Sequence, residues 1–139
     1  MLSIGIDVGS LTTKTVVLNN GRFLASVVSE TLDEAEISAQ VAMTKALERI
    51  DADEDPLRFV VTTGAGAKGV SFSDRSKAIT TCLARGIAYC VPEARAVIDI
   101  GAESSTVVKT NERGKVLDWA NHDKCAAGTG RFLDVAARN

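Results

Sequence analysis

An internal repeat constrains the fold of this 139-residue chain more than any other feature. The run Ile6–Ser10 (IDVGS) recurs as Ile98–Ala102 (IDIGA), and Gly21–Leu24 (GRFL) recurs as Gly114–Leu117 (GKVL). In both copies an apolar strand, an aspartate, a glycine, a second strand, a tight turn and a third strand follow in the same order. Chance similarity between two buried strands explains a shared dipeptide, but it does not explain this whole order. The repeat therefore predicts two related three-stranded meanders.

Apolar alternation and turn signals predict the elements of the first copy. The run Asn19–Gly21 indicates a tight turn, because Asn and Gly tolerate positive φ. A helix is expected to begin at Asp33, with Glu36 in the capping-box position. Several of its side chains are expected to face the core: Ile37, Val41, Ala42, Leu47 and Ile50. The remaining elements are predicted as strands at Leu2–Val8, Thr13–Leu18, Arg22–Ser29 and Leu57–Thr62, and as a helix at Arg75–Tyr89 capped by Ser73 or Asp74.

The second copy is expected to begin with a buried strand at Ala96–Ile100. Further strands are predicted at Ser104–Thr110 and Lys115–Asn121, followed by the start of a helix at Gly128–Arg138. Strands that alternate with helices indicate an α/β fold. We expect residues 1–94 to form a first subdomain and residues 95–139 to form an incomplete second one.

Composition excludes several classes of protein. The chain is 45% hydrophobic and 24% charged, which is typical of a packed soluble core. Its net charge is −2, it has no long basic run and its aromatic content is 4%, so we expect no nucleic-acid partner. No apolar run approaches ~18 residues, and no basic segment precedes an apolar one at the N-terminus. We therefore expect a cytoplasmic protein without a membrane partner.

The repeated aspartate and glycine predict phosphate chemistry. The glycine lets backbone N–H groups approach a phosphate closely. A carboxylate repels a bare phosphate, so Asp7 and Asp99 make sense if they hold Mg²⁺ through water or orient a water for attack. Lys14 alone would be a solvated strand charge, but within this motif a phosphate contact is favoured. The candidate phosphate-binding residues are Gly9, Ser10, Thr12, Thr13 and Lys14 in the first hairpin, and Gly101, Ala102 and Glu103 in the second.

Three segments resemble known motifs. Gly5–Lys14 resembles the first phosphate motif of the acetate kinase, sugar kinase, Hsp70 and actin superfamily, and Val97–Gly101 resembles its second. Asn121–Asp134 closely resembles the NDKCAAGTGRFLD run of the BadF/BadG/BcrA/BcrD ATPase family, and Thr62–Gly66 resembles that family's ATGYGR loop. The resemblance implies a ribonuclease H-like, actin-like ATPase domain with a mixed sheet, which binds ATP and Mg²⁺ and hydrolyses ATP.

The family contains activators of 2-hydroxyacyl-CoA dehydratases and ATPase subunits of benzoyl-CoA reductases. The resemblance therefore implies electron transfer to an acyl-CoA dehydratase or reductase component. It also implies a homodimer or a pseudo-symmetric heterodimer with one [4Fe–4S] cluster shared between subunits. Cys125 matches the first cluster cysteine of the family, and the second would lie beyond Asn139. Cys82 and Cys90 match neither, and we expect both to be structural thiols in the interior.

Two departures from the family pattern leave other functions open. Asp99–Ser104 (DIGAES) stands where the family usually has DIGGQD, and Ile79–Ala84 (ITTCLA) stands where it has EISCHA. The first departure predicts altered nucleotide turnover. The alternatives are a regulatory or scaffold domain that binds nucleotide without turnover, and a relative of sugar or acid kinases. The family protein is also longer, so we expect this chain alone to have weak or no ATPase activity.

Overall fold

The structure, a computed structural model, describes residues 1–50, 58–122 and 137. The chain divides into two compact units, Met1–Lys77 and Ala78–Asn139. Cys125 and nearly all of the predicted helix at Gly128–Arg138 lie outside the described residues. The predicted boundary between two ribonuclease H-like subdomains, residues 1–94 and 95–139, stays a prediction.

The first unit contains a five-stranded mixed sheet. Its strands are β1 (Leu2–Val8), β2 (Thr12–Asn19), β3 (Arg22–Glu30), β4 (Arg58–Thr63) and β5 (Arg75–Ser76). Their order in the sheet is β3-β2-β1-β4-β5. β1, β2 and β3 form the predicted antiparallel meander, whereas β4 pairs with β1 and β5 in parallel. The carboxyl ends of β1 and β4 therefore lie side by side at one edge of the sheet.

One face of this sheet is covered by helix α1 (Ala35–Glu48), which contacts β1, β2 and β3. Side chains alternate between the two faces of a strand, and on β1 Ile4, Ile6 and Val8 point to α1, each with only 1% of its surface exposed. The helix presents small residues to them, including Ala42 and other fully buried alanines. This face is the core of the first unit, and Asp7 lies on the opposite face.

The predicted cap of α1 was wrong, and its predicted buried face was confirmed only in part. The helix begins at Ala35, no side chain caps its N-terminus, and Glu36 instead accepts hydrogen bonds from the backbone N–H and the hydroxyl of Ser71. Ile37 is 46% exposed, because small side chains rather than large ones lie against the sheet. The fully buried set is Ser38, Ala39, Ala42, Met43 and Ala46. Of the predicted inward residues, Ala42 is fully buried, and Leu47 and Ile50 are partly buried and pack against the core as predicted. Tertiary contacts thus replaced the local cap that the sequence suggested.

The predicted start of the second helix was also wrong. Asp74 does not cap a helix, because its carboxylate accepts a hydrogen bond from the backbone N–H of Val60 at 2.7 Å. The next two residues, Arg75–Ser76, stay extended and pair with β4 as β5. Helix α2 therefore begins only at Ile79 and ends at Cys90.

In the second unit, three strands repeat the meander. They are β6 (Ala96–Ile100), β7 (Ser105–Thr110) and β8 (Val116–His122), in the antiparallel order β6-β7-β8. Helix α2 contacts all three strands. The most buried side chains of the sheet belong to one face of β7: Thr106, Val108 and Thr110. This face is therefore the one that α2 covers.

The prediction that β6 is buried was wrong. Ile98 is 65% exposed and Ile100 is 45% exposed, although they match Ile6 and Val8 in the repeat. β1 lies between two strands, whereas β6 is an edge strand among the described residues. The exposed isoleucines also lie on the face of the sheet that α2 does not cover. No helix among the described residues is long and apolar enough to cross a membrane; the cytoplasmic location stays a prediction.

Candidate functional site

The first hairpin places Asp7 between two polar side chains at the edge of the sheet. In register, Asp7 lies opposite Lys14 on β2 and opposite Thr63 on β4. The ammonium group of Lys14 donates a hydrogen bond to Oδ2 of Asp7 at 3.2 Å. Both side chains are partly exposed, so this ion pair contributes little to stability. Lys14 is therefore free to turn toward an anion, and its contact with a phosphate stays a prediction, since its side chain is 49% exposed.

The other carboxylate oxygen of Asp7 is an orphan. Oδ1 is buried and has no hydrogen-bond partner among the described residues. A buried charged oxygen without a partner is costly, so its presence points to a group that binds there. Carboxylate oxygens are preferred by Mg²⁺, either directly or through its bound waters. The donor chemistry at Asp7 thus fits the cation that accompanies a nucleotide phosphate.

The turn after Asp7 requires glycine. The N–H of Gly9 donates to the carbonyl of Thr12 at 3.1 Å, and a Cβ at Gly9 would lie 2.8 Å from that carbonyl oxygen. Thr31, just after β3, steadies the turn from outside, because its hydroxyl donates to the carbonyl of Gly9 at 2.9 Å. Ser10 is exposed at the tip of the turn, and Thr12 is half-buried at its end. These positions leave Ser10 accessible to a ligand.

Thr13 lies apart from the other predicted phosphate residues. It pairs with Val8 in register and therefore faces the core, with no exposed surface. Its Oγ1 lies 2.9 Å from Oγ1 of Thr31, which closes a hydrogen-bonded chain to the Gly9 carbonyl. In this structure the side chain of Thr13 holds the turn and does not reach the face that carries Asp7.

The second hairpin closes in the same way as the first. The N–H of Gly101 donates to the carbonyl of Ser104 at 2.8 Å, just as Gly9 bonds to Thr12. Ala102 and Glu103 form the tip of the turn, where Glu103 is exposed. Asp99 is half-buried and lies opposite Thr106, so the position that corresponds to Lys14 carries no positive charge. The second hairpin thus has the same turn as the first, but it has no lysine opposite its aspartate.

Thr63 was missed as a candidate by sequence reasoning. Its hydroxyl is a second orphan, because it is buried and unpaired among the described residues. The sequence offers a weak signal, since Thr63 ends a β-rich run just before Gly64. Only the parallel pairing of β1 with β4 brings it beside Asp7.

The cysteines form no site within the described part of the chain. Cys82 is half-buried in α2 and Cys90 is exposed at its end, so the prediction of an interior position for Cys90 was wrong. No group of three or more His, Cys, Asp or Glu side chains with metal-binding geometry occurs among residues 1–50 and 58–122. The predicted cluster ligand, Cys125, lies outside the described residues.

Comparison with known proteins decides the family. The model of the BadF/BadG/BcrA/BcrD ATPase family matches residues 4–139. The chain belongs to that family. It is 36% identical over 138 residues to the activator of lactoyl-CoA dehydratase from Anaerotignum propionicum, covering 99% of this chain and 53% of the relative. It is 38% identical over 143 residues to the 2-hydroxyisocaproyl-CoA dehydratase activator of Clostridioides difficile, covering 99% of this chain and 52% of that protein.

Solved structures agree with this assignment. The activator of the 2-hydroxyisocaproyl-CoA dehydratase from Clostridium difficile with bound ADPNP superposes with a TM-score of 0.86 at 35% identity. The match covers 99% of this chain and 52% of that one. The predicted family and the predicted α/β, actin-like fold with a mixed sheet are therefore confirmed. The chain spans about half the length of the curated relatives it matches.

Proposed function

We propose that the β1–β2 hairpin binds the phosphates of ATP with Mg²⁺, and that the chain is the ATP-hydrolysing part of an activator of an acyl-CoA dehydratase or reductase. The observation that carries the nucleotide site is the orphan oxygen of Asp7 beside Lys14 and the tight turn at Gly9. Family membership and the likeness to an activator with bound ADPNP support the nucleotide.

Each residue of the first hairpin has a distinct role in this proposal. Asp7 would hold Mg²⁺ through water with Oδ1, and a cation held there would supply neutralisation of the phosphate charge. Lys14 turns from Oδ2 of Asp7 to a phosphate oxygen, which is the stronger acceptor because it carries more charge. Gly9 keeps the turn tight through its own N–H bond to Thr12, so that the backbone N–H of Ser10 can face the phosphate, and the hydroxyls of Ser10 and Thr12 add donors. Hydrolysis needs a water in line with the γ-phosphate. The carboxylate of Asp7, at the carboxyl end of β1, would orient such a water.

The second hairpin is proposed as a weaker phosphate contact. Asp99 would act on Mg²⁺ or water as Asp7 does, and the turn of Gly101, Ala102 and Glu103 would face a phosphate. Its tip carries a carboxylate at Glu103, which repels a phosphate, and Thr106 stands where the first hairpin has a lysine. These differences predict that most of the phosphate affinity resides in the first hairpin.

Electron transfer is proposed from family membership. A [4Fe–4S] cluster is held by about four thiolates, and the cysteine of this chain that matches the family motif is Cys125. A single thiolate does not fit such a cluster alone, so further thiolates must come from another subunit or from elsewhere in the assembly. We accordingly propose a homodimer or a pseudo-symmetric heterodimer, and no step of the reaction is derived through the cluster.

A second candidate function is nucleotide binding without turnover. It is favoured by the second hairpin, where Ala102 and Glu103 replace the usual residues of the family and no lysine lies opposite Asp99. Such a chain would change shape or partner when ATP binds, and it would release no phosphate.

Calorimetric titration with ATP in Mg²⁺, followed by a phosphate-release assay, tests both candidates. We expect wild type to bind ATP and Asp7→Asn to bind it at least tenfold more weakly, since a charged contact contributes about 1.5–3 kcal/mol. Asp118→Asn is the matched control, because Asp118 is exposed on β8 and pairs with Lys109, at the end of the second sheet opposite to the Gly101 turn. Because this chain alone is expected to have weak or no ATPase activity, phosphate release is measured on a protein of the relatives' full length that contains this chain. Binding there without any phosphate release supports the second candidate, and no binding by wild type contradicts both.

A further inference from the structure

The carboxyl end of β4 lies against the proposed cation site. Thr63 pairs with Asp7 in parallel register, so the two side chains project from the same face of the sheet. Thr63 is only 8% exposed, and its Oγ1 has no hydrogen-bond partner among the described residues. Two neighbouring strands thus each end in a buried oxygen without a partner.

The backbone after Thr63 is built closely around Asp7. Gly64 has a φ of 90°, which favours glycine, and a Cβ there would collide with Oδ1 of Asp7 and lie 2.5 Å from the carbonyl oxygen of Val8. The N–H of Gly66 then donates to that carbonyl at 3.0 Å. The loop therefore fixes the end of β4 against the end of β1, and it holds the hydroxyl of Thr63 beside the carboxylate.

Two other buried threonines of the same sheet differ from Thr63, either in their hydrogen bonds or in the face on which they lie. Thr62 points to the core, and its hydroxyl lies 3.0 Å from the hydroxyl of Ser73. Thr15 also has an unpaired hydroxyl, but it pairs with Ile6 in register and so lies on the core face. Of the two buried, unpaired hydroxyls among the described residues, only that of Thr63 lies on the face that carries Asp7.

We propose that Thr63 is a positioning residue for the divalent cation, an inference that rests on the proposed function. A single water bound to the cation would donate one hydrogen bond to Oδ1 of Asp7 and its second hydrogen bond to Oγ1 of Thr63. Both unpaired oxygens would then have a partner. A hydroxyl and a carboxylate that share one water fix its orientation in two directions. Thr63 thereby sets where the cation sits relative to the turn at Gly9, without contacting the phosphate itself.

The test compares the affinity for a non-hydrolysable ATP analogue in excess Mg²⁺ with the affinity in EDTA, by calorimetry on the full chain. Thr63→Val keeps the shape of the side chain and removes the hydroxyl. We expect it to reduce the Mg²⁺-dependent gain in affinity about tenfold, with unchanged affinity in EDTA. Thr63→Ser restores the hydroxyl and should restore the gain. Thr15→Val, which removes the other orphan hydroxyl of the same sheet, should leave the gain at the wild-type value.

Thermal unfolding without ligand separates positioning from folding. Thr63→Val should unfold at or above the wild-type temperature, because it removes an unsatisfied buried hydroxyl. An unchanged Mg²⁺-dependent gain in folded Thr63→Val, with wild type binding the analogue, would overturn the inference and leave the proposed function intact. Wild type that gains no affinity from Mg²⁺ would overturn both.

Discussion

The two hairpins share one backbone design but differ in what surrounds them. Gly9 and Gly101 close their turns with the same hydrogen bond, and both follow an aspartate at the end of a strand. In the first unit a helix covers the face opposite Asp7, whereas in the second unit the helix covers the face that carries Asp99. The repeat therefore preserves the turn, while the residue opposite the aspartate, the neighbouring strands and the face that the helix covers differ between the copies among the described residues.

The largest loss of stability is expected from a substitution that disturbs the contact between β1 and its parallel neighbour β4. Gly64→Ala places a Cβ against the backbone of Val8 at a φ of 90°, and we expect the free energy of unfolding to fall by about 2–4 kcal/mol. Denaturant unfolding followed by circular dichroism measures this loss. Gly5→Ala is the matched control, because nothing lies within 4 Å of its Cβ, and it should change stability by less than about 0.5 kcal/mol. Equal effects of the two substitutions would contradict the tight fit between β1 and β4.

The two turns should respond unequally to the same change. A Cβ would lie 2.8 Å from the carbonyl oxygen of Thr12 in Gly9→Ala but 3.2 Å from that of Ser104 in Gly101→Ala. We expect Gly9→Ala to cost about 1–2 kcal/mol and Gly101→Ala about 0.5–1 kcal/mol. Chemical denaturation of both variants checks the order, and a larger loss in Gly101→Ala would show that the second turn is the tighter one.

Removal of the lysine beside Asp7 should weaken ATP binding, whereas removal of a lysine from the second hairpin's sheet should not. Lys14→Met keeps most of the side chain and removes the charge, so ATP should bind about three- to tenfold more weakly in line with one charge-assisted hydrogen bond. Lys109→Met is the control in the second unit, because Lys109 pairs with Ala96 at the far end of the sheet. Calorimetric titration with ATP compares them. Equal losses would indicate a general effect of net charge.

The smallest expected effect depends on pH and involves Glu36 alone. Hydrogen bonds from the hydroxyl and backbone N–H of Ser71 lower the pKa of Glu36 below its ordinary value of 4.5. Since the folded state has the lower pKa, this contact stabilises the fold above pH 4.5 and is lost as pH falls through the lowered value. Wild type should therefore lose more stability between neutral and acidic pH than Glu36→Gln. Glu34→Gln, whose side chain makes no cap bond, should keep the wild-type profile, and unfolding curves at several pH values measure both.

Sequence reasoning correctly predicted those parts of the fold that depend on the local pattern of residues. Alternating apolar residues located the strands of both meanders, and the Asn20–Gly21 turn has the positive φ values that those residues tolerate. It failed where a distant partner decided the structure. Glu36 bonds to Ser71 and Asp74 bonds to Val60, so neither caps its helix. The exposure of Ile98 was also missed, because burial depends on which face a helix covers.

The candidate site was predicted unevenly for the same reason. Asp7, Gly9 and Lys14 lie close in sequence, and the hairpin brings them together as the motif suggests. Thr13 was assigned to the phosphate as a hydroxyl donor of the motif, yet strand alternation places its side chain in the core. Thr63 lies in the stretch that resembles the family's ATGYGR loop, but its place beside Asp7 follows from the pairing of β1 with β4, which no local pattern specifies.

The central claim is that the first hairpin holds the phosphates of ATP, and amide NMR tests it most directly. In a titration of ¹⁵N-labelled chain with ATP and Mg²⁺, we expect the N–H signals of Gly9, Ser10 and Lys14 to shift most strongly. Signals of Gly101 and Ala102 should shift less at the same ATP concentration. Binding of ATP that leaves the signals of Gly9 to Lys14 unmoved would contradict the claim.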